Sequence, residues 1–233
     1  MMIQFRLYLT VTFDSKEEKK FMSDFMGKTK SYLDFKIGNV AIEDIKEVYY
    51  LLKANRPYVG LNSRYTYFLL VKDFADTCVV AEHEGKIVAF SSGYVSPTKK
   101  DTFFSWDAVV HRDYRGNKLQ KQMLLWQIMI TRVRYFEGTV NPSNEGSKMS
   151  FLSLAQLLKT RCEESLLFSE DDFENDGHEP EILYRVGPIS QEQLAKNMQL
   201  LGASNQTFER AIFMHVKGNE GALKQFVELA QTP

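Results

Sequence analysis

The N-terminal residues alternate between apolar and polar side chains. Every second position of this stretch is apolar: Ile3, Phe5, Leu7, Leu9, Val11 and Phe13. The alternation predicts a half-buried strand, because successive side chains of a strand point to opposite faces. The polar segment 14–30 that follows is predicted to be helical or loose. "LDFKIGN" then predicts a second short strand.

The next segment, "AIEDIKEVYYLLKAN", has a helical period. Its apolar face is formed by Ile42, Ile45, Val48, Tyr49 and Leu52. This spacing predicts a helix with one buried stripe. Asn39 lies in the region expected to cap its start, and Pro57 is expected to prevent the helix from continuing.

A hairpin and a central strand are predicted next. "TCVVAEHEGKIVAFSSGYV" consists of two apolar runs joined by a turn at Glu84-Gly85. "DTFFSWDAVVH" predicts another strand, which should lie centrally because both of its sides are apolar. Strict alternation would place Trp106, Ala108 and Val110 on one side and Val109 on the other.

The remaining elements complete an alternating order. A helix is predicted over 116–134, then the strand "RYFEGTV", the helix "NEGSKMSFLSLAQLLK" and the strands "EESLLFS" and "EILYRVG", with an acidic loop between these two. The order is therefore strand, helix, hairpin, strand, helix, strand, helix, strand, strand. Residues 190–233 carry two amphipathic helical patterns around the apolar run "AIFMHV", and this patterning is atypical of disorder.

Composition narrows the class of protein. The chain has 233 residues, enough for one domain with an appendage. Its 29 Lys and Arg balance 30 Asp and Glu, so a nucleic-acid or membrane partner is not indicated. Cys78 and Cys162 lack metal-ligand spacing, so no structural zinc site is expected. Both cysteines are expected to be reduced, buried thiols, which favours a cytoplasmic protein. The N-terminal stretch has no long apolar run and therefore does not resemble a signal peptide or a membrane span.

Five segments, in this order, resemble one family of enzymes. They are "NSRYTYFLLVKDFADT", "FSSGYVSP", "DTFFSWDAVV", "EGTVNPSNEGS" and "LLFSEDDFENDGHEPEILYRVGP". The set is similar to the diaminobutyrate acetyltransferases of ectoine biosynthesis, within the GCN5-related N-acetyltransferase superfamily. Single pieces such as "SGY" are weak signals, whereas the ordered set, ending in "HEPEILYRVGP", is specific.

The resemblance implies a fold, an activity and a domain division. The fold is α/β, with a mixed, mostly antiparallel central sheet flanked by helices. The acetyltransferase domain spans 35–189, with an N-terminal extension over 1–34 and an extra α/β tail over 190–233. The activity moves an acetyl group from acetyl-CoA, as acetyl donor, to the side-chain amine of L-2,4-diaminobutyrate. The family uses no metal and forms homodimers.

This chemistry requires three kinds of group. An alkylammonium has a pKa of about 10.4, so the amine needs a proton acceptor before it can attack, and a carboxylate acting directly or through water is expected. The thioester oxygen gains negative charge and needs a backbone N–H donor. The resemblance places that donor on the strand segment Ala108, Val109 and Val110. The amino-acid substrate calls for polar and acidic partners beside an aromatic wall.

Candidate substrate residues follow from the matching motifs. Trp106 is expected to form the pocket wall and to take part in catalysis, although core packing would also explain it. Tyr65 and Asn62 match a substrate-side segment that could equally be a helix surface. Thr139 matches a strand end near the acetyl group. His178, Glu179 and Glu181 match a late acidic motif; Glu181 or Glu179 would bind the α-ammonium or accept the proton, and a solvated loop is the alternative.

The candidate acetyl-CoA turn departs from the family pattern. The family's small residues are replaced by Lys118 and Gln120 in the sequence Arg115, Gly116, Asn117, Lys118, Leu119, Gln120. Such small residues let a pyrophosphate approach amides at a helix N-terminus. Two functional interpretations stay open, beside the alternative that the basic residues are an ordinary solvated helix start. Lys118, with Arg112, Arg115 and Lys121, attracts the phosphates, or Asn117 and Gln120 form a capping box that occupies those amides.

Two further features complete the prediction. Asn144, with Ser147, is expected near the pantetheine arm, and Asn144 could also serve as a helix N-cap. Gly60 stands where the family has an aspartate, which favours a weaker or altered grip on the amine. Two alternatives to the diaminobutyrate activity therefore stay open: an acetyltransferase for another small amine, and a non-catalytic binding or regulatory protein.

Overall fold

One sheet organises the described part of the chain. The computed structural model describes residues 8–9, 35–56, 59–117, 119–174 and 177–194. Within these ranges the strands are β1 Tyr8–Leu9, β2 Lys36–Asn39, β3 Val79–His83, β4 Lys86–Val95, β5 Thr102–Val110, β6 Tyr135–Val140, β7 Arg161–Phe168 and β8 Glu181–Gly187. Their spatial order is β1-β2-β3-β4-β5-β6-β8-β7. The β5–β6 pair is parallel and the other described neighbours are antiparallel.

Helices cover the two faces of the sheet. Their bounds are α1 Ile45–Ala54, α2 Arg64–Phe74, α3 Leu119–Thr131 and α4 Glu145–Leu157. One buried cluster joins α1 and α2 to Val80, Phe90 and Val109 of the sheet. A second cluster joins α3 and α4 to Phe103 and Phe136. We call the α1–α2 side the front face and the α3–α4 side the back face. The predicted α/β class, with a mixed and mostly antiparallel sheet, is confirmed.

The β3–β4 hairpin closes as predicted. Glu84 and Gly85 both have positive φ, at 50° and 77°. Two consecutive residues with positive φ are typical of a type I′ turn, whose twist matches that of the paired strands. Glycine supplies the second position without strain.

Other predictions needed correction. The helix expected over 116–134 is shorter, and the predicted order omitted α2, whose apolar spacing is less regular. Asn39 caps no helix; its amide donates to the carbonyls of Ala75 and Asp76. Most of the N-terminal strand, Pro57 and nearly all of the predicted tail helices lie outside the described residues, although 191–194 are helical.

A buried glutamine on α3 fixes the middle of the sheet. Gln127 is fully buried. Its Nε2 donates to the carbonyl of Thr77 at 2.9 Å, and its Oε1 accepts from Ser91 Oγ at 3.0 Å. A buried amide that satisfies its polar atoms in this way holds β4 in one register against α3. Within the described residues, no helix has the length and apolar character that crossing a membrane requires.

Candidate active site

The parallel pair of strands separates partway along its length. β5 and β6 pair from Thr102 with Tyr135 to Ser105 with Gly138. β5 then continues to Val110 and β6 to Val140, with no further pairing between them among the described residues. We call the resulting gap, between residues 106–110 and 139–140, the wedge. Backbone groups that point into it have no strand partner there.

Backbone alternation identifies the amides that face the wedge. The amide of Asp107 donates to Ser92 Oγ at 3.1 Å, and that of His111 to the carbonyl of Val88 at 2.8 Å. Both point toward β4. Because polar groups along an antiparallel strand alternate in direction, the N–H groups of Ala108 and Val110 point into the wedge. Val109, in the same predicted segment, directs its amide to β4.

A β-bulge changes which side chains share a face. The β4–β5 register shifts so that Trp106 and Asp107 lie opposite the single residue Ser92. Phe103 belongs to the back-face cluster and Val109, six residues later, to the front-face cluster. An unbroken strand would put both on one face, so the bulge has offset the alternation by one residue. The prediction that Trp106 and Val110 share a side is therefore wrong.

The bulge turns two consecutive side chains toward the front face. Trp106 is 45% exposed and lies 6.4 Å from the ring of Tyr94, which in turn contacts Phe74 of α2. Asp107 is only 7% exposed. The alternative that Trp106 is a core residue does not hold. It forms an accessible aromatic surface beside a buried carboxyl group.

Three predicted site residues lie on the same face. Phe136 and Val140 of β6 and Tyr184 of β8 belong to the back-face cluster. Alternation therefore places Thr139 and Glu181 on the front face, with Trp106. Thr139 pairs with Leu183, which lies two residues from Glu181 along β8 and on the same face. The sheet thus brings together residues that are far apart in sequence.

The late acidic motif is divided between two roles. Glu179 accepts hydrogen bonds from the hydroxyl and the amide of Ser143, and these hold the pKa of Glu179 below its usual range. Glu181 accepts from Asn141 Nδ2 at 3.2 Å, with His178 Nε2 3.7 Å away. The His178 ring stacks on Phe173, 4.1 Å between centroids. Glu179 thereby holds its loop against the segment that precedes α4. Glu181 lies at the start of β8 and faces Asn141 and His178.

The substrate-side segment contains a residue that the sequence reading missed. Tyr65 is 70% exposed on α2, whereas Tyr67 is fully buried. The hydroxyl of Tyr67 accepts a hydrogen bond from the amide of Asn62 at 3.2 Å. Ser63 caps α2 by accepting from the amide of Thr66. Leu70 and Val71 lie three and four residues after Tyr67, on the same buried face of α2. This spacing is the signal in the sequence that could have identified Tyr67 as a buried residue.

The first half of the candidate phosphate turn is tied to the protein. Arg115 donates to Asn55 Oδ1 at 2.6 Å and to the carbonyl of Val110 at 3.3 Å. Gly116 adopts a φ of +85°, a conformation that favours glycine. Asn117 Nδ2 donates to the carbonyl of Tyr114 at 2.9 Å. Arg115 therefore positions the turn instead of reaching freely into solvent.

The second half of the turn contacts α4. Leu119 is buried in the core, so it can offer only backbone to a ligand. Gln120 Oε1 accepts from Ser150 Oγ at 3.1 Å. Gln120 thus faces α4 and does not complete the predicted capping box with Asn117, because its side chain is turned toward the neighbouring helix. Lys118 lies outside the described residues, and its predicted phosphate contact stays a prediction.

The start of α4 is capped as predicted. Asn144 Oδ1 accepts from the amide of Ser147 at 3.1 Å. This bond satisfies one of the amides that a helix leaves free in its first turn. The N-cap role of Asn144 is confirmed.

The buried carboxyl group of Asp107 was not anticipated. Its Oδ2 is buried and accepts no hydrogen bond from the described residues. Burial raises the pKa of Asp107 to about 7, because the charged form loses its hydration. The signal in the sequence was one acidic residue inside an otherwise apolar central strand.

Comparison with known proteins agrees with this geometry. The acetyltransferase (GNAT) family matches residues 43–147. The L-2,4-diaminobutyric acid acetyltransferase of Virgibacillus pantothenticus is 42% identical over 134 residues, covering 56% of this chain and 84% of that protein. The L-2,4-diaminobutyric acid acetyltransferase of Halalkalibacterium halodurans is 37% identical, and the match covers 66% of this chain and 82% of that protein. The chain belongs to the diaminobutyrate acetyltransferase family.

A solved structure of the same family extends the agreement. The diaminobutyrate acetyltransferase from Paenibacillus lautus, in complex with L-2,4-diaminobutyric acid and coenzyme A, is 33% identical. The structural match covers 67% of this chain and 96% of the Paenibacillus lautus protein, with a TM-score of 0.63. Ard1 from Thermoplasma volcanium, at 12% identity and a TM-score of 0.53, shares the fold.

The wedge of this acetyltransferase fits an extended thioester. Ala108 and Val110 offer backbone amides to it. Gly138 lies where β5 and β6 last pair and has no side chain that would fill this end of the wedge. A Cβ at Gly138 would lie 2.6 Å from the Phe151 ring and 3.1 Å from the carbonyl of Ser105. No group of three or more metal-ligating side chains occurs in the part of the chain that the structure describes.

Proposed function

We propose that this protein transfers the acetyl group of acetyl-CoA to the side-chain amine of L-2,4-diaminobutyrate, a step of ectoine biosynthesis. The main observation that supports this proposal is the separation of β5 from β6 beyond Ser105, which leaves the amides of Ala108 and Val110 facing the wedge. Similarity to enzymes named for this substrate supports the choice of amine.

Each part of the site has a role in this proposal. An amide of Ala108 or Val110 donates to the thioester oxygen as it gains negative charge, and fixed amides do this without reorganisation. Trp106 forms the wall of the amine pocket. Glu181 binds the α-ammonium of the substrate, with Thr139 beside it. Asn62, Tyr65 and His178 complete the substrate side.

The acetyl donor is placed along the wedge and the turn that follows β5. Its pantetheine arm lies beside Val109 and Val110 and ends near Asn144 and Ser147. Its phosphates are held by the turn from Arg115 to Gln120, where an anion gains from amides at a helix N-terminus. Gln120 of α3 accepts a hydrogen bond from Ser150 of α4 at this point. This contact leaves less space for the phosphates between the two helices.

A thiol-release assay tests the activity. With saturating acetyl-CoA, we expect L-2,4-diaminobutyrate to release coenzyme A at least about tenfold faster than ornithine or spermidine, since one additional methylene changes discrimination by about 10–200-fold. Mass spectrometry of the product would locate the acetyl group on the side-chain amine. Absence of thiol release with every amine, together with acetyl-CoA binding in calorimetry, would instead identify a binding or regulatory protein.

An acetyltransferase for another small amine is the second candidate. Gly60 carries no carboxylate, and a Cβ built there would meet no atom within 4 Å. In this second proposal, the open space beside Gly60 admits a longer or differently charged amine. Competition between diaminobutyrate, ornithine and polyamines in the same assay distinguishes the two candidates, because the preferred acceptor will suppress acetylation of the others.

We also propose a homodimer that forms across β7. This edge strand exposes three consecutive apolar side chains: Leu166 at 61%, Leu167 at 40% and Phe168 at 48%. An open strand edge with apolar side chains favours association. We expect sedimentation equilibrium to give twice the chain mass, and Leu166→Lys with Phe168→Glu to give the monomer mass. A monomer mass for the wild-type protein would contradict the dimer.

The cysteines support a cytoplasmic location, which we propose as well. Cys78 and Cys162 are both free, and Cys78 is buried while Cys162 is half-buried. Unpaired cysteines are typical of reducing compartments.

A further inference from the structure

The β-bulge places a carboxyl group next to the oxyanion donor. Asp107 precedes Ala108, whose amide points into the wedge, and the bulge turns the Asp107 side chain to the front face with Trp106. The amine reaches the thioester from that face if the proposed function holds. Asp107 is therefore the carboxyl group that lies nearest along the strand to the reacting carbonyl.

Among the described residues, the titratable groups that interact with Asp107 carry no opposite charge. It faces Tyr67 of α2 and Cys78, which precedes β3; burial raises the pKa of both these groups, that of Cys78 to about 12. Both groups are therefore neutral near pH 7. Among the described residues, burial alone accounts for the altered pKa of Asp107. A buried carboxylate without a partner is destabilising, and a role in chemistry would explain why this position carries one.

The other carboxylates of the site already have partners. Glu179 accepts two hydrogen bonds from Ser143, and Glu181 accepts one from Asn141. Ser92 Oγ accepts from the backbone amide of Asp107 and so holds the bulge without occupying the carboxylate. Asp107 Oδ2 thus accepts no hydrogen bond from the described residues. An effective proton acceptor needs an available lone pair together with a proton affinity matched to the working pH.

We propose that Asp107 is the general base of the reaction and removes the proton from the attacking amine. This inference rests on the proposed acetyl transfer. The side-chain ammonium first releases one proton to solvent through the Asp107 carboxylate. As the neutral amine then forms its bond to the thioester carbon, a second proton passes from nitrogen to the same carboxylate. The C–S bond then breaks, the thiolate of coenzyme A leaves, and the proton on Asp107 passes to that thiolate or to solvent. The carboxylate is regenerated, so no further reactant is required.

Substitution of Asp107 tests the assignment. We expect Asp107→Asn to lower kcat by about 100-fold with little change in the KM for the amine, a typical loss when general-base catalysis is removed. In the wild type, log(kcat/KM), which reports the free enzyme, should rise with unit slope up to about pH 7, where Asp107 becomes charged, and this limb should vanish in Asp107→Asn. Asp107→Glu should retain the limb with a lower plateau.

The control and the contrary outcomes separate the inference from the proposed function. Asp73→Asn removes an exposed carboxylate at the end of α2 and should leave kcat and its pH profile unchanged. A wild type that acetylates no amine refutes the proposed function itself. An active wild type with an unchanged pH limb in Asp107→Asn overturns only the inference. An increase in KM alone overturns it too, because Asp107 would then be a binding group.

Discussion

Gly93→Ala is expected to lower the free energy of unfolding by about 3 kcal/mol and to abolish most acetyl transfer. A Cβ at this position would lie 2.5 Å from two atoms of the Phe103 ring and 2.5 Å from the carbonyl oxygen of Phe104. Overpacking of a core typically costs about 1–3 kcal/mol. We expect the upper end, because the contact with Phe104 involves backbone of a central strand that is paired on both sides.

The expected loss of activity has a separate cause. Gly93 pairs with Ser105, next to the bulge and at the point where β5 leaves β6. Moving Phe104 to admit a methyl group would displace Trp106, Asp107 and the amide of Ala108 together. Thiol release should therefore fall by more than the loss of folded protein explains, measured at a temperature where circular dichroism shows the variant to be folded.

Gly146→Ala is the matched control for stability. Gly146 lies in the first turn of α4, and a Cβ there would meet only Asn144 Oδ1, at 3.8 Å. Alanine in a helix is favoured over glycine by up to about 1 kcal/mol, so urea unfolding should show equal or greater stability. Equal stabilities of Gly93→Ala and Gly146→Ala would contradict the tight approach of β4 and β5.

Local patterns were sufficient to predict most of the fold. Alternation and the Glu84-Gly85 turn predict the β3–β4 hairpin, and the helical spacing in 41–55 predicts α1. Asn144 was identified as a possible N-cap because its side chain can act within its own turn. In each case the deciding interactions lie within a few residues of one another, so the sequence contains them.

Features that depend on contacts between distant segments were missed. The bulge at Trp106 and Asp107 arises from the pairing of β5 with Ser92 and Gly93, and alternation along β5 alone predicts the wrong face. Gln120 was expected to cap its own helix, but it bonds to Ser150, 30 residues away. A polar side chain at a helix start can satisfy local or distant partners, and the sequence does not rank them.

Asp107→Asn is expected to stabilise the protein increasingly as the pH rises. Burial raises the pKa of Asp107 from its ordinary value near 4 to about 7. Between those values the unfolded chain releases the proton while the folded protein retains it, so the wild type loses stability as the pH rises. The three-unit shift corresponds to about 4 kcal/mol, at 1.36 kcal/mol per unit. Asparagine carries no charge, so the variant avoids this loss.

The measurement is the difference in unfolding free energy between Asp107→Asn and wild type. Urea titrations at pH 5, 6, 7 and 8 should show this difference moving in favour of the variant by about 2.5 kcal/mol, with most of the change complete by pH 7. Asp73→Asn serves again as the exposed control and should give a nearly constant difference. Parallel wild-type and Asp107→Asn profiles would mean that Asp107 has an ordinary pKa in the folded protein.

This stability measurement and the kinetic test of Asp107 constrain each other. A carboxylate that is charged in a buried site above pH 7 destabilises the fold under the conditions in which it accepts protons best, and active sites often combine lower stability with function in this way. The pH at which the stability advantage of Asp107→Asn stops growing should therefore match the midpoint of the pH profile of wild-type kcat/KM, because both report the pKa of Asp107 in the free folded enzyme. If these two pH values differ by more than about one unit, the group that limits kcat/KM is not Asp107, even where the substitution lowers activity.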